Sequence, residues 1–121
     1  MAEIRKVLVV DDAPFIREIV KHIIANEEGL ELIGEASNGE EAIEKAKELV
    51  PDVILMDIVM PLKSGIQATE EILKILPNIK VISCSTLDKD LLADKAKNAG
   101  CQDHIQKPFK SSELIKALKN S

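Results

Sequence analysis

The 121 residues suit one domain with one core, and 16 Lys and Arg against 21 Asp and Glu leave a net charge of -5. That balance argues against a general nucleic-acid surface, and with Phe15 and Phe109 as the only aromatics a base-stacking platform is disfavoured too. No apolar run reaches the length of a membrane span, MAEIRKVLVV lacks the pattern of a signal peptide, and Cys84 and Cys101 make no disulfide framework, so a cytoplasmic setting is expected.

Along the chain, strand and helix patterns alternate. Lys6 to Val10 reads as a buried strand, because Val7, Leu8, Val9 and Val10 run without a polar break. A helix is predicted from Pro14 to about Asn26: Pro14 is tolerated in a first turn, and Phe15, Ile16, Ile19, Val20, Ile23 and Ile24 recur at helical spacing. That stripe is expected to be mostly core. Leu30 to Ala36 alternates polar and apolar, as an edge strand does. Asn38 is the expected N-cap of the next helix, with Glu41 as capping-box partner and Ala42, Ile43, Ala46, Leu49 and Val50 facing inward before Pro51.

Val53 to Asp57 is the third predicted strand. Met60-Pro61 breaks the chain, and Gly65 permits a tight loop into a helix carrying Ile66, Ile72, Leu73 and Leu76. Val81 to Ser85 is the fourth strand, followed by a helix from about Lys89 to Ala99 that ends at Gly100. Asp103 to Gln106 is a short last strand. Ser111 or Ser112 is expected to cap the final helix, with Leu114, Ile115 and Leu118 inward. Such alternation implies an α/β fold, a doubly wound parallel sheet with helices on both faces and right-handed crossovers. One domain over 1–121 with no output domain attached is expected.

Polar residues stand where the apolar runs stop. Asp11 and Asp12 close the first, Asp57 the third, Ser85 the fourth, and Lys107 follows the last and precedes Pro108. In an open parallel sheet the carboxyl ends of the strands form the crevice where ligands bind. Taken alone, Asp57 reads equally well as a cap for the loop that follows it. Three carboxylates converging there are costly unless a cation or phosphate organises them, and Mg²⁺ suits carboxylates combined with phosphate oxygens and water. An ionised Asp57 beside Mg²⁺ is a competent nucleophile toward phosphorus, with Lys107 supplying positive charge for phosphoryl oxygens and Ser85 a hydroxyl at the same rim.

Asp11-Asp12, Met56-Asp57 with Met60-Pro61 and Gly65, Ser85, and Lys107-Pro108-Phe109 occur in order with one βα unit between members. The set resembles a two-component response-regulator receiver domain over Val7 to Leu118. The resemblance implies a flavodoxin-like, five-stranded sheet of order 2-1-3-4-5 flanked by five helices. It implies Asp57 as phosphoacceptor, Asp12 and Asp57 as direct Mg²⁺ ligands (with Mn²⁺ an alternative ion), Asp11 as a ligand through water and Val59 through its carbonyl. Lys107 would clamp the phosphoryl group and Ser85 would be the switch hydroxyl. Implied partners are a histidine kinase or phosphotransfer domain, docking at the first helix, and a downstream protein such as a flagellar switch. The output face would be the fourth helix, fifth strand and fifth helix, carrying Lys89, Lys95, Lys97, Gln106, Lys110 and Lys116. A monomer that binds neither nucleic acid nor membrane is expected. The resemblance implies no enzyme activity beyond weak self-phosphotransfer and autodephosphorylation.

The chain departs from the family pattern at several positions. His104 stands where an aromatic residue often rotates with the switch, which suggests a pH-dependent output; the competing reading is a strand residue with no role. Thr86 stands where many relatives have Ala. Val59 and Leu87 flank the path of an attacking water and offer it no hydrogen bond, so slow hydrolysis of phospho-Asp57 is expected. A phosphorelay carrier is the nearest alternative. A Mg²⁺-dependent phosphohydrolase is less consistent, because Val59 removes the usual second acid, and a nucleotide-binding doubly wound domain is third, because Val10-Asp11-Asp12-Ala13 contains no glycine-rich phosphate loop.

Overall fold

The computed structural model describes residues 3–60, 62–86 and 89–120, with the side chains of 89–92 left out of account. The elements are β1 Arg5–Val10, α1 Pro14–Ala25, β2 Leu30–Ala36, α2 Gly39–Leu49, β3 Val53–Asp57, α3 Gly65–Ile75, β4 Lys80–Ser85, α4 Lys89–Ala99, β5 Asp103–Gln106 and α5 Ser111–Lys119. The strands form one five-stranded sheet in the order β2-β1-β3-β4-β5, every pairing parallel. β1 and β3 therefore lie side by side in the middle, with Val10 opposite Met56.

Side chains alternate faces along a strand, so each unbroken apolar run supplies both sides of the sheet. Val7, Val9, Val53, Leu55, Ile82 and Ile105 pack with Val20 and Ile24 of α1 and Leu114 and Leu118 of α5. Leu8, Val10, Ile54, Met56 and Val81 pack on the opposite side with residues of α2 and α3 and with Ala96 of α4. Fully burying one such side chain contributes roughly 1.5–3 kcal/mol, so the central strands anchor whatever they carry at their ends.

Several local expectations are corrected. The α1 stripe is only partly core: Phe15 is 73% exposed and Ile19 37% exposed. These two lie one turn apart on the flank of the stripe formed by Ile16, Val20, Ile23 and Ile24, and that flank clears the sheet. Val50 does not face inward; it is the C-cap of α2, left-handed at φ 45° and 53% exposed. Asn38 caps α2 by accepting the Glu41 N–H at 2.9 Å, but the Glu41 carboxylate accepts from Ser37 N–H and Oγ rather than closing a box on Asn38. A true capping box starts α3 instead, where Ser64 and Gln67 accept each other's backbone N–H at 3.2 and 3.3 Å. Neither Ser111 nor Ser112 caps α5: Lys110 is the N-cap, and Glu113 accepts its N–H at 3.2 Å, so both serines fall inside the first turn. The predicted break at Pro61 lies outside the described residues.

Gly65 is needed for closeness rather than for an unusual φ. A Cβ there would stand 2.1 Å from the Asp57 carbonyl oxygen. The first turn of α3 is thus pressed directly against the end of β3, and Gly65 N–H donates to Ile58 O at 2.9 Å. Gly100, by contrast, follows α4 at φ +114°, a conformation that side chains resist.

Candidate functional site

The carboxyl ends of β1 and β3 bring the expected acids together. Asp11 and Asp57 are 3% and 6% exposed, Asp12 is exposed, and ligand oxygens of all three lie within 4.8 Å of one another. The pairing of Val10 with Met56 makes this unavoidable, since the next residue on each strand is an aspartate. Asp11 is fixed on several sides. Its N–H donates to Ala36 O at 3.0 Å, its Oδ1 accepts the Ala13 N–H at 2.9 Å, and its Oδ2 accepts Lys107 Nζ at 2.5 Å.

Lys107 reaches the crevice because its backbone extends the β4–β5 ladder: Lys107 N–H donates to Ser85 O at 2.8 Å. Its Nζ lies 3.6 Å from Asp57 Oδ1. Burial works against the Lys107 charge, but the Asp11 hydrogen bond and the fields of Asp57 and Asp11 outweigh it, and the pKa is raised. Asp57 responds in the opposite sense to an ordinary carboxylate. Burial first, then the charge of Asp11 and with it Asp12, push its pKa to about 7 against the pull of Lys107. A carboxylate crowded by like charges beside two more hard oxygen donors is what a small divalent cation relieves, so the residues present fit Mg²⁺ or Mn²⁺.

Ser85 ends β4 and is 1% exposed. Its neighbour Cys84 points to the α1–α5 side, where burial pushes the thiol pKa up to about 12, so it is no nucleophile. Val59, two residues past Asp57, is 53% exposed, and Thr86 is exposed as well. Leu87 lies outside the described residues. Of the expected output face, Lys95, Lys97, Gln106, Lys110 and Lys116 are exposed, while the Lys89 side chain is outside the description.

His104 is half-buried and tied to the sheet. Its Nδ1 stands 2.6 Å from Ser83 Oγ, and the same hydroxyl lies 3.2 Å from Asp103 O. A hydroxyl has one proton, so when Ser83 donates to Asp103 O the ring nitrogen must be the donor to Ser83. Ser83 was invisible in sequence as anything but small filler in a buried run; only its register opposite His104 exposes the contact. Nor does the sequence mark Arg17 and Glu35 as a pair. Arg17 Nη1 donates to Asp11 O at 2.5 Å, and Arg17 Nε to Glu35 Oε1 at 3.2 Å. The available signal was a basic residue one turn into the helix that follows the acidic pair.

A family model described as the response regulator receiver domain matches residues 7–119. The chemotaxis protein CheY of Thermotoga maritima is 49% identical over 114 residues, covering 94% of this chain and 94% of its own. Among solved structures, the response regulator domain of Thermotoga maritima CheB is similar at a TM-score of 0.91 and 38% identity, covering 98% of this chain and 96% of that one. A chain of the CheX–CheY–BeF3–Mg²⁺ complex from Borrelia burgdorferi is similar at a TM-score of 0.90 and 30% identity, over 96% of this chain and 87% of that one. No helix among the described residues is long and apolar enough to cross a membrane.

Proposed function

Because the chain belongs to the response regulator receiver family, we propose that it is a phosphoacceptor switch in which Asp57 takes a phosphoryl group from the phosphohistidine of a histidine kinase or phosphotransfer domain. The observation that carries this reading is the convergence of Asp11, Asp12 and Asp57 within 4.8 Å, with Lys107 Nζ at 3.6 Å from Asp57.

Asp12 and Asp57 would hold Mg²⁺ directly, Asp11 through water and Val59 by its carbonyl. When bound, the cation supplies the charge that keeps Asp57 ionised near neutrality and offsets charge on the phosphoryl oxygens. An Asp57 oxygen attacks phosphorus from a rigid strand end, and the P–N bond to the donor imidazole breaks as the ring leaves. Lys107, a point charge on a flexible stem, leaves Asp11 for a phosphoryl oxygen. The Ser85 hydroxyl donates to another. Because Lys107 N–H is already bonded to Ser85 O, both residues reaching for one group draws the end of β4 and the segment after β5 together. That favours one state of a pre-existing pair and alters the α4-β5-α5 face. We read His104 as part of this change, its ring parting from the Ser83 hydroxyl as the end of β4 moves.

Similarity to CheY of Thermotoga maritima favours chemotaxis-type output, such as binding to a flagellar switch, over a phosphorelay carrier. Val59, apolar and exposed at the mouth, supports a long-lived phosphoryl group and supplies no second acid for a phosphohydrolase. The test is incubation with acetyl phosphate and Mg²⁺, then intact mass of wild type and Asp57→Asn. Wild type should gain about 80 Da, the mass of one transferred phosphoryl group, and the variant nothing. An adduct on both, or on neither, refutes the assignment.

A further inference from the structure

Asp11 is held by several hydrogen bonds and Asp57 by the buried strand it ends, whereas Asp12 stands exposed at the mouth. The peptide on which Asp12 hangs is itself held. Arg17 Nη1 donates to the Asp11 carbonyl at 2.5 Å, and this carbonyl belongs to the planar unit that carries the Asp12 nitrogen. Arg17 is itself held by Glu35 on β2, at 3.2 Å, and its side chain is only 18% exposed. Lys21 Nζ lies 3.3 Å from the other Glu35 oxygen.

A guanidinium so close to a cation site would repel the cation if its charge were not cancelled. Glu35 cancels it. We propose that Arg17 is a positioning residue for divalent-cation binding: it orients the Asp11–Asp12 peptide so that Asp12 meets Asp57, and Glu35 neutralises it so that this orientation costs the site no affinity. This rests on the metal-assisted reading above. Groups that orient ligands without touching the ion typically change metal affinity by about 10–100-fold when removed. A purely structural Arg17, clamping α1 to β2, would instead lower stability and leave affinity alone.

The chain has no Trp or Tyr to report binding by fluorescence, so free Mn²⁺ is followed by electron paramagnetic resonance. Arg17→Met keeps the apolar stem and removes the head. It should weaken Mn²⁺ binding about tenfold or more. Lys119→Met, which breaks the 2.6 Å pair with Glu27 at the opposite end of the sheet, should lower thermal stability without changing Mn²⁺ affinity. Glu35→Gln should weaken Mn²⁺ binding in the wild-type background and not in the Arg17→Met background. An equal effect in both backgrounds would mean Glu35 acts by its own charge, and would overturn its assigned role. Wild-type binding matched by Arg17→Met would overturn the inference alone. A wild-type protein that binds no Mn²⁺ would overturn the metal reading and this inference with it.

Discussion

Replacing Asp57 with Asn should stabilise the metal-free protein, and the gain should depend on pH. The folded carboxyl has a pKa of about 7 against an ordinary 3.8, chiefly through burial and the neighbouring Asp11. A raised pKa means that the folded state binds the proton more tightly than the unfolded chain does. The stability this group contributes is therefore full below about 3.8, falls as pH rises, and is lost above about 7. At about 1.4 kcal/mol per pH unit the whole shift corresponds to roughly 4 kcal/mol. The exposed Asp12 beside it marks an open mouth, and solvent screening there reduces the working figure to about 1–2 kcal/mol. For a domain of this size that is about 3–8 °C in Tm. Scanning calorimetry of wild type and Asp57→Asn in chelator, from pH 4 to 8, supplies the comparison, and titrating groups that do not interact with Asp57 cancel in the difference. The variant should be more stable at pH 8, and its advantage should disappear toward pH 4. Saturating Mg²⁺ should stabilise wild type more than the variant and narrow the gap at pH 8. A difference that stays constant with pH, or a variant less stable at pH 8, would refute the reasoning.

Lys107→Met should slow acetyl-phosphate labelling of Asp57 by about 10²–10³-fold, the range for losing one donor to a developing oxyanion, without weakening Mn²⁺ binding. Time-resolved intact mass checks the first part and an Mn²⁺ titration the second. Val59→Asn should shorten the life of phospho-Asp57 by about an order of magnitude, less than a full general base provides, as followed by loss of the mass adduct. Gly65→Ala should cost about 1–3 kcal/mol in urea unfolding, because its Cβ would meet the Asp57 carbonyl at 2.1 Å and the end of β3 would have to shift.

The elements were legible because their signals are local. Val53–Asp57, Leu30–Ala36, Lys89–Ala99 and Asp103–Gln106 fall where apolar runs, alternation and glycine placed them. Misreadings came where two local signals compete or where tertiary packing chooses between equal candidates. Ser111 and Ser112 are good caps by type, yet the turn closes one residue earlier on Glu113. Phe15 and Ile19 share the helical stripe by spacing, but a flat sheet covers only one side of it.

By itself the sequence determined which polar groups stand at the strand ends, since a parallel strand must deliver the residue after its apolar run to one edge of the sheet. Asp11, Asp12, Asp57, Ser85 and Lys107 follow from that rule alone. Tertiary structure decided what those groups do to each other. Burial at the end of β3, with the crowding of carboxylates that the register of Val10 with Met56 imposes, raises the Asp57 pKa, and the ladder after β5 hands Lys107 to Asp11. Contacts between residues far apart in sequence, Ser83 with His104 and Arg17 with Glu35, leave no periodic trace in the chain because a hydrogen bond depends on position in space and not on spacing.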